Sequence, residues 1–372
     1  MNSDPASGEP AATLRAEMAR DGAIPFARFM QLALYQPGHG YYERTTQTIG
    51  RRGDFFTSVS VGPFFGELLA SRFAEWLEEL AAVQGGGVGR LCEAGAHNGQ
   101  LARDILGWWR RERPDEFARL EYCIVEPSAG RRAWQAETLG EFRDRVRWIG
   151  GWDELPDEGF AGIIFANELL DALPVRRLGW DAGVGRWFEW GVAAAREGFA
   201  WTRLPLADDP GGLFHPFAPP PELTAVLPDG FTTEVCPAAV SWWRSAARSL
   251  RHGKLLTVDY GLSAAEFFTP GRAHGTLRSY ARHRAGDDLL ADPGGQDLTA
   301  HVNFSAVQAA GEAEGLRTDA FTTQARFLTA IAGRMWSAGM APSDAAVLRQ
   351  FQTLTHPEHL GRSFSVLVQS RV

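Results

Sequence analysis

The sequence predicts an α/β fold: a mostly parallel sheet with helices on both faces. Three observations carry this. Short runs rich in Val, Ile, Leu and Phe alternate with segments of helical period. Each run ends in polar or turn residues at its carboxyl end, where open parallel sheets collect ligands. A chain of 372 residues that is 45% hydrophobic also has the material for a sizeable core.

The elements follow in order. "GPFFGELLASRFAEWLEEL", Gly62 to Leu80, places Phe64, Leu68, Trp76 and Leu80 at helical spacing. "GGGVG" then breaks the helix before a first strand that ends near Cys92. A helix is expected from Gln100 to Arg111, and "EYCIVEPS" reads as the second strand. "VRWIGGWDEL" is a short third, "AGIIFANELLDALP" a fourth that runs into a turn, and "GKLLTVDYG" a fifth. A last pair near "RTDAFTTQARFL" and "RSFSVLVQSRV" would complete the sheet.

Four segments are expected. Residues 1–60 read as an N-terminal helical and loop cap, and 61–175 as the first part of the core. Residues 176–235 are an insertion rich in Trp, Pro and Gly, with hairpin alternation in "RWFEWGVAAAREGFAWTRL". It far exceeds the usual connection of about 4–6 residues, so it reads as a cap for substrate or partner. Residues 236–372 read as the second part of the core with inserted helices.

A net charge of −8 argues against non-specific binding of nucleic acid, which needs a surplus of Lys and Arg on some face. No stretch approaches the roughly 20 apolar residues of a membrane span, and the start lacks the charge and apolar run of a leader. The three cysteines, Cys92, Cys123 and Cys236, are too scattered for a disulfide framework and read as reduced residues. A cytosolic protein is expected, with no metal, since the nine histidines show no ligand spacing. Oligomeric state is open, a homodimer included.

The chemistry gathers at the carboxyl ends of the strands. In "LCEAGAHNGQL", Glu93 precedes a turn with two glycines, Gly95 and Gly99, where a dinucleotide loop would have three. A carboxylate there suits a cation better than a pyrophosphate, and S-adenosylmethionine carries a sulfonium and an ammonium without phosphate. An ordinary strand-to-helix turn, with Glu93 favouring the helix dipole, is the plainer reading. Glu126 ends the second strand, where an acid can accept hydrogen bonds from ribose hydroxyls; a solvated strand-end acid reads equally well. Trp152 and Asp153, after the third strand, could stack on and bond an adenine, or be surface and core residues. Asn167 and Glu168 leave a buried run directly, and Asp171 follows three positions later. One helical turn would put Glu168 and Asp171 on one face around a cation, or Asn167 would simply cap a helix.

Taken together, "YQPGHGYY" (Tyr35 to Tyr42), "GDFFTS" (Gly53 to Ser58), "FGELL", "NELLDALPV" (Asn167 to Val175), "VDYG", "GTLRSY" and "PGGQDLTAHVNF" (Pro293 to Phe304) resemble the MidA-type methyltransferases associated with assembly of respiratory complex I. The resemblance runs over nearly the whole chain. It implies a seven-stranded, Rossmann-like class I methyltransferase fold, S-adenosyl-L-methionine as methyl donor, and methylation of a protein arginine on a subunit of that complex. It implies that Gly53, Asp54, Phe55 and Thr57 roof the cofactor and that Glu93, Gly95 and Glu126 hold its methionine and ribose parts. Asn167 and Glu168 would lie near the methyl, and His301 would approach from "LTAHVNF". Glu168, Asp171 and His301 are then the catalytic candidates beside Asn167, with the two acids orienting a guanidinium and His301 either a proton acceptor or a loop histidine bonded to backbone. A eukaryotic protein of this kind would sit in the mitochondrial matrix. Three positions depart from the family. His97 stands where it prefers Gly, Ser60 where it has an acid, and Asn303 where it has Asp. His97 is expected to point to solvent, and the other two suggest a changed substrate. Two competing readings are a methyltransferase for another protein or a small molecule, and a non-catalytic assembly factor that binds through exposed aromatics of the insertion. An NAD enzyme would need a glycine pattern the chain lacks.

Overall fold

Seven strands form the main path of one sheet: β1 (Arg90–Ala94), β2 (Glu121–Val125), β3 (Val146–Ile149), β4 (Phe160–Asn167), β5 (Leu250–Leu262), β6 (Arg317–Thr323) and β7 (Phe364–Arg371), with an eighth, two-residue strand, Val302–Asn303, parallel to the end of β5. This is a computed structural model describing residues 8–43, 57–84, 89–155, 158–206, 210–281, 284–286 and 288–372. The strand order is β6-β7-β5-β4-β1-β2-β3, and every neighbour is parallel except β7, which runs antiparallel to β5 and β6. From β1 the chain moves outward to β2 and β3, then returns to the other side of β1 with β4 and β5. The carboxyl ends of β1 and β4 therefore flank the point where the winding reverses, the place where such sheets open a crevice.

The chain divides into two units. The first comprises residues 1–46, 170–242 and 261–309; the second comprises 47–169, 243–260 and 310–372. The second unit carries the sheet, up to residue 260 of β5. Alternate strand positions Leu91, Tyr122, Ile124, Ile163, Phe165 and Val258 share a core with α1 (Phe64–Gln84), α2 (Gln100–Glu112), α4 (Gln324–Ser337) and α5 (Ala345–Thr355). A further helix, α3 (Ala129–Leu139), follows β2. Phe73 of α1 is fully buried, 4.9 Å from the Phe165 ring. Truncating such a ring to alanine costs about 3–5 kcal/mol, so α1 is fixed by its apolar stripe rather than by helix propensity. The run "RTDAFTTQARFL" is half strand, half helix. Thr323 ends β6 because its side chain accepts the Arg326 N–H and so starts α4.

The first unit is built differently. Its antiparallel sheet has the order Ile24–Pro25, Arg186–Ala194, Arg176–Asp181, Thr232–Val235, with Phe199–Leu204 hairpinned onto Arg186–Ala194. The helices Glu9–Asp21 and Phe26–Tyr35 belong to the same unit, as do the short strands Arg278–Ala281, Arg284–Gly286 and Asp297–Thr299. The insertion's tryptophans are buried or half-buried against other rings, which counts against the competing reading of exposed aromatic anchors. Trp180 meets Trp187 at 5.2 Å, Phe188 meets Trp190 at 4.9 Å, and Trp201 lies 5.0 Å from Phe26. Trp180 belongs to the unit's own core and Trp187, Trp190 and Trp201 are half-buried around it, large rings filling the space beside a small sheet. Among the described residues no helix is long and apolar enough to cross a membrane.

Candidate cofactor site

The loop after β1 shows why the family prefers three glycines. Gly95, His97 and Gly99 all have positive φ, at 72°, 47° and 86°. Left-handed backbone at alternate positions turns the chain tightly from strand to helix, and it favours residues without a Cβ. A Cβ on Gly95 would also lie 2.8 Å from Leu169 Cδ1. His97 holds the middle position as one of the few side chains that tolerate this conformation. Its ring does not point to solvent, as expected from sequence: it packs edge-on against Trp134, 5.2 Å away. Burial pushes its pKa down to about 3, with the Arg131 charge acting the same way, so the ring is neutral at physiological pH. The reason for the correction is local: the helical residue Trp134 offers an apolar face that water would otherwise cover. His97→Ala is expected to be about 1 kcal/mol less stable than His97→Gly in chemical denaturation, since alanine keeps the left-handed strain without the ring contact. Equal stabilities would contradict the strain.

Glu93 is not an open acid at the strand end. It is 2% exposed, and its Oε2 accepts the Tyr122 hydroxyl at 2.6 Å from β2. Burial raises its carboxyl to about 7, against the lowering effect of that bond, with the Asp104 charge adding to the rise. Glu126, just beyond β2, is held at both oxygens. Oε1 accepts the Ser128 N–H at 3.0 Å and Oε2 accepts Gln135 Nε2 at 3.0 Å. Trp152 begins a short 3₁₀ turn after β3 and is half-buried, whereas Asp153 is exposed.

At the end of β4, Asn167 and Glu168 form a compact acceptor cluster. Glu168 has φ 51°, an uncommon conformation for a side chain of this size and one that accumulates at functional sites. It is held there from three directions. Its N–H donates to the Val258 carbonyl at 2.9 Å, and the next N–H, of Leu169, donates to Asp259 Oδ2 at 3.1 Å. Its Oε1 accepts the Ser58 N–H at 3.2 Å and Asn167 Nδ2 at 3.1 Å. Ser58 in turn donates from Oγ to Gln324 Oε1 at 2.9 Å, both residues being fully buried. Asn167 Oδ1 is buried and has no hydrogen-bond partner among the described residues.

Two expectations are corrected here. Glu168 and Asp171 do not share a helical face, because the left-handed φ of Glu168 breaks the turn before the 3₁₀ segment Leu170–Ala172 begins. Nor does Asn167 cap a helix. Asp171 belongs to the first unit, where it is 5% exposed and its carbonyl accepts the Ala300 N–H. His301 is in that unit too. Its N–H donates to Thr276 Oγ1 at 3.1 Å, and its buried Nδ1 has no partner among the described residues. Burial, helped by the charges of Arg272 and Arg278, lowers its pKa to about 4. Gly53, Asp54 and Phe55 lie outside the described residues; Thr57 is described, as the cap of the helix Ser58–Val61.

The two departures at Ser60 and Asn303 are both helix caps. Ser60 exchanges hydrogen bonds with Thr57, its N–H reaching Thr57 Oγ1 at 3.1 Å and its Oγ accepting the Thr57 N–H at 2.9 Å. A glutamate three residues after a threonine cap makes the same reciprocal pair, so serine replaces the family's acid in kind. Asn303 Oδ1 accepts the Ala306 N–H at 3.1 Å, as an aspartate would.

The donor and acceptor set fits S-adenosyl-L-methionine. Glu126 offers two oriented carboxylate oxygens, and Asn167 Oδ1 is a buried acceptor waiting for a donor. Glu93 supplies a carboxyl whose charge an adjacent cation would favour. Residues 68–322 match the family described as "Putative S-adenosyl-L-methionine-dependent methyltransferase". The chain belongs to this methyltransferase family. A solved structure from Burkholderia thailandensis, a COG1565 superfamily member bound to S-adenosyl-homocysteine, is 35% identical with a TM-score of 0.83, covering 97% of this chain and 92% of that one. The protein arginine methyltransferase NDUFAF7 homolog, mitochondrial, of Drosophila melanogaster is 28% identical over 97% of this chain and 84% of its own length. Human protein arginine methyltransferase NDUFAF7, mitochondrial, is 29% identical over 76% of this chain, which spans 64% of the human protein. As a member of the family, the chain takes S-adenosyl-L-methionine as its cofactor and is a methyltransferase of the class I fold. The sequence did not single out Ser58, Gln135 or Asp259. Asp259 was within reach, since "LLTVDYG" ends a buried run in a carboxylate just as "YCIVE" does.

Proposed function

We propose that this methyltransferase modifies the guanidinium of a protein arginine. The observation that carries the reading is the strained Glu168, a carboxylate fixed by Ser58 and Asn167 at the carboxyl end of β4. When bound, the cofactor would supply a methyl group on a sulfonium: the new N–C bond forms as the S–C bond breaks, the sulfur leaves with the bonding pair as the thioether of S-adenosyl-homocysteine, and the guanidinium nitrogen gives up one proton. The chain's part is alignment and exclusion of water. An arginine stays protonated below a pKa of about 12, so it arrives as a cation that a carboxylate can orient. Glu168 has this role, and Asp171 and the neutral His301 are our candidates for the substrate side. Thr57, Glu93, Gly95, Glu126, Trp152 and Asp153 serve the cofactor, with Gly53, Asp54 and Phe55 as its roof. The relatives named above are protein arginine methyltransferases by name, which supports the same substrate class and a protein substrate; a complex I subunit as that substrate rests on the motif resemblance alone. The departures at Ser60 and Asn303 are helix caps, so neither argues for a different substrate. Three free cysteines, two of them buried, accord with a reducing compartment, and we read the location as cytosolic.

The test is incubation with labelled S-adenosyl-L-methionine and a cell extract, followed by hydrolysis of the protein fraction. Label in methylated arginine is expected. Label confined to small metabolites would overturn the reading.

A further inference from the structure

Gln135 is fully buried on α3, at a position that none of the family's motifs covers, and each polar atom of its side chain is engaged at the cofactor edge. Nε2 donates to the His97 carbonyl at 3.0 Å and to Glu126 Oε2 at 3.0 Å. Oε1 accepts the indole N–H of Trp148, on β3, at 2.9 Å. Only one orientation of the amide works: turned over, its oxygen would face a carbonyl and a carboxylate, and its NH₂ would face an N–H. Three elements, the loop after β1, the acid after β2 and strand β3, are therefore locked to a single residue.

The same helix touches the loop twice more. The preceding residue, Trp134, packs on the His97 ring, and a Cβ on Gly99 would sit 3.3 Å from Gln135 Cα. The helix is thus a template against which the left-handed loop is set. Glu126 is turned by two N–H donors, one on each oxygen, and one of these is Gln135. A carboxylate held in this way keeps its remaining lone pairs aimed in a fixed direction.

We propose that Gln135 is a positioning residue for the cofactor, acting through Glu126 and the 95–99 loop so that recognition of the ribose hydroxyls and setting of the loop are one coupled event. This rests on the reading of Glu126 as the ribose acceptor. Gln135 lies behind Glu126 and the loop, and its effect is on how well they grip.

The experiment measures binding of S-adenosyl-homocysteine and of an analogue lacking both ribose hydroxyls, by calorimetry, to the full-length chain. In the wild type the missing hydroxyls should weaken binding at least tenfold, the worth of hydrogen bonds to a charged acceptor. Glu126→Gln should erase most of that ratio; if it leaves the ratio intact, the ribose reading of Glu126 is wrong. Gln135→Leu should shrink the ratio by about tenfold, and the double variant should be no worse than Glu126→Gln alone, because both act on one contact. A ratio that stays at the wild-type value in Gln135→Leu, with Glu126→Gln having erased it, overturns the proposal. A purely structural loss would weaken both ligands equally. Gln135→Glu serves where the leucine variant folds poorly. It sets two carboxyl groups face to face, so its affinity for S-adenosyl-homocysteine should fall as pH rises and they compete for one proton. A pH profile identical to the wild type would also overturn the proposal.

Discussion

Glu168→Gln is expected to lower turnover about 100- to 1000-fold while leaving the affinity for S-adenosyl-homocysteine within about threefold. The substitution keeps the hydrogen bonds that Oε1 accepts. Oε1 of Glu168 accepts from Ser58 and from Asn167, and a glutamine oxygen can accept both bonds unchanged. The left-handed backbone, held by Val258 and Asp259, is untouched. What the variant removes is a negative charge, in a site where the incoming guanidinium carries a positive one. A carboxylate that orients a cation in a pocket of reduced dielectric contributes several kcal/mol, whereas the amide dipole contributes much less. Turnover should be measured under saturating cofactor and binding by calorimetry, since the split between the two is the result that matters. Unchanged turnover would remove Glu168 from the reaction. An affinity loss as large as the turnover loss would move it to the cofactor.

The parallel strands were legible in the sequence because each of them is a short run, largely apolar, that a turn or a polar residue ends. "LCEAGAH", "YCIVEPS" and "IIFANE" all follow this rule, and the carboxylates that end them are where the crevice is. Less legible was which way those acids turn. Strand alternation puts Glu93 on one face of β1 but says nothing of Tyr122 on the next strand, which claims the carboxyl. The pairing of Glu168 with Asp171 failed for a similar reason: it assumed helical φ at a residue whose backbone is bent to the left by hydrogen bonds to residues 258 and 259, far along the chain. Gln135 carries no signal in a linear reading and Ser58 enters only as the last residue of "GDFFTS", because a buried amide and a buried serine acquire their importance from what folds against them. The departures at Ser60 and Asn303 looked chemical and are local, as each satisfies a helix N-terminus.

Glu93 should make both stability and cofactor affinity depend on pH, in opposite directions. Its carboxyl is raised from an ordinary value of 4.5 to about 7 by burial. In the free protein the folded state therefore holds a proton that the unfolded chain has released anywhere between those two values. A folded-state pKa that is raised gives stability present below the unfolded value and lost as pH rises through the folded one. The contribution of Glu93 should thus decline from pH 4.5 toward 7, by about 3 kcal/mol over the whole window, on the usual conversion of a pKa shift into free energy. Glu93→Gln, which keeps an acceptor for the Tyr122 hydroxyl and never ionises, should lose that decline in denaturation measured across the same range. Binding has the reverse sign. A cationic ligand favours the ionised carboxyl, so S-adenosyl-L-methionine should bind more tightly as pH rises to 7, by up to tenfold per unit, and should release a proton on binding below that point. Calorimetry in buffers of different ionisation heat counts that proton directly. S-adenosyl-homocysteine lacks the sulfonium and keeps the ammonium, so comparing the two shows which cation Glu93 senses. A proton count of zero for both ligands at pH 6, in a protein whose stability still tracks the carboxyl, would mean that Glu93 serves Tyr122 and the sheet rather than the cofactor.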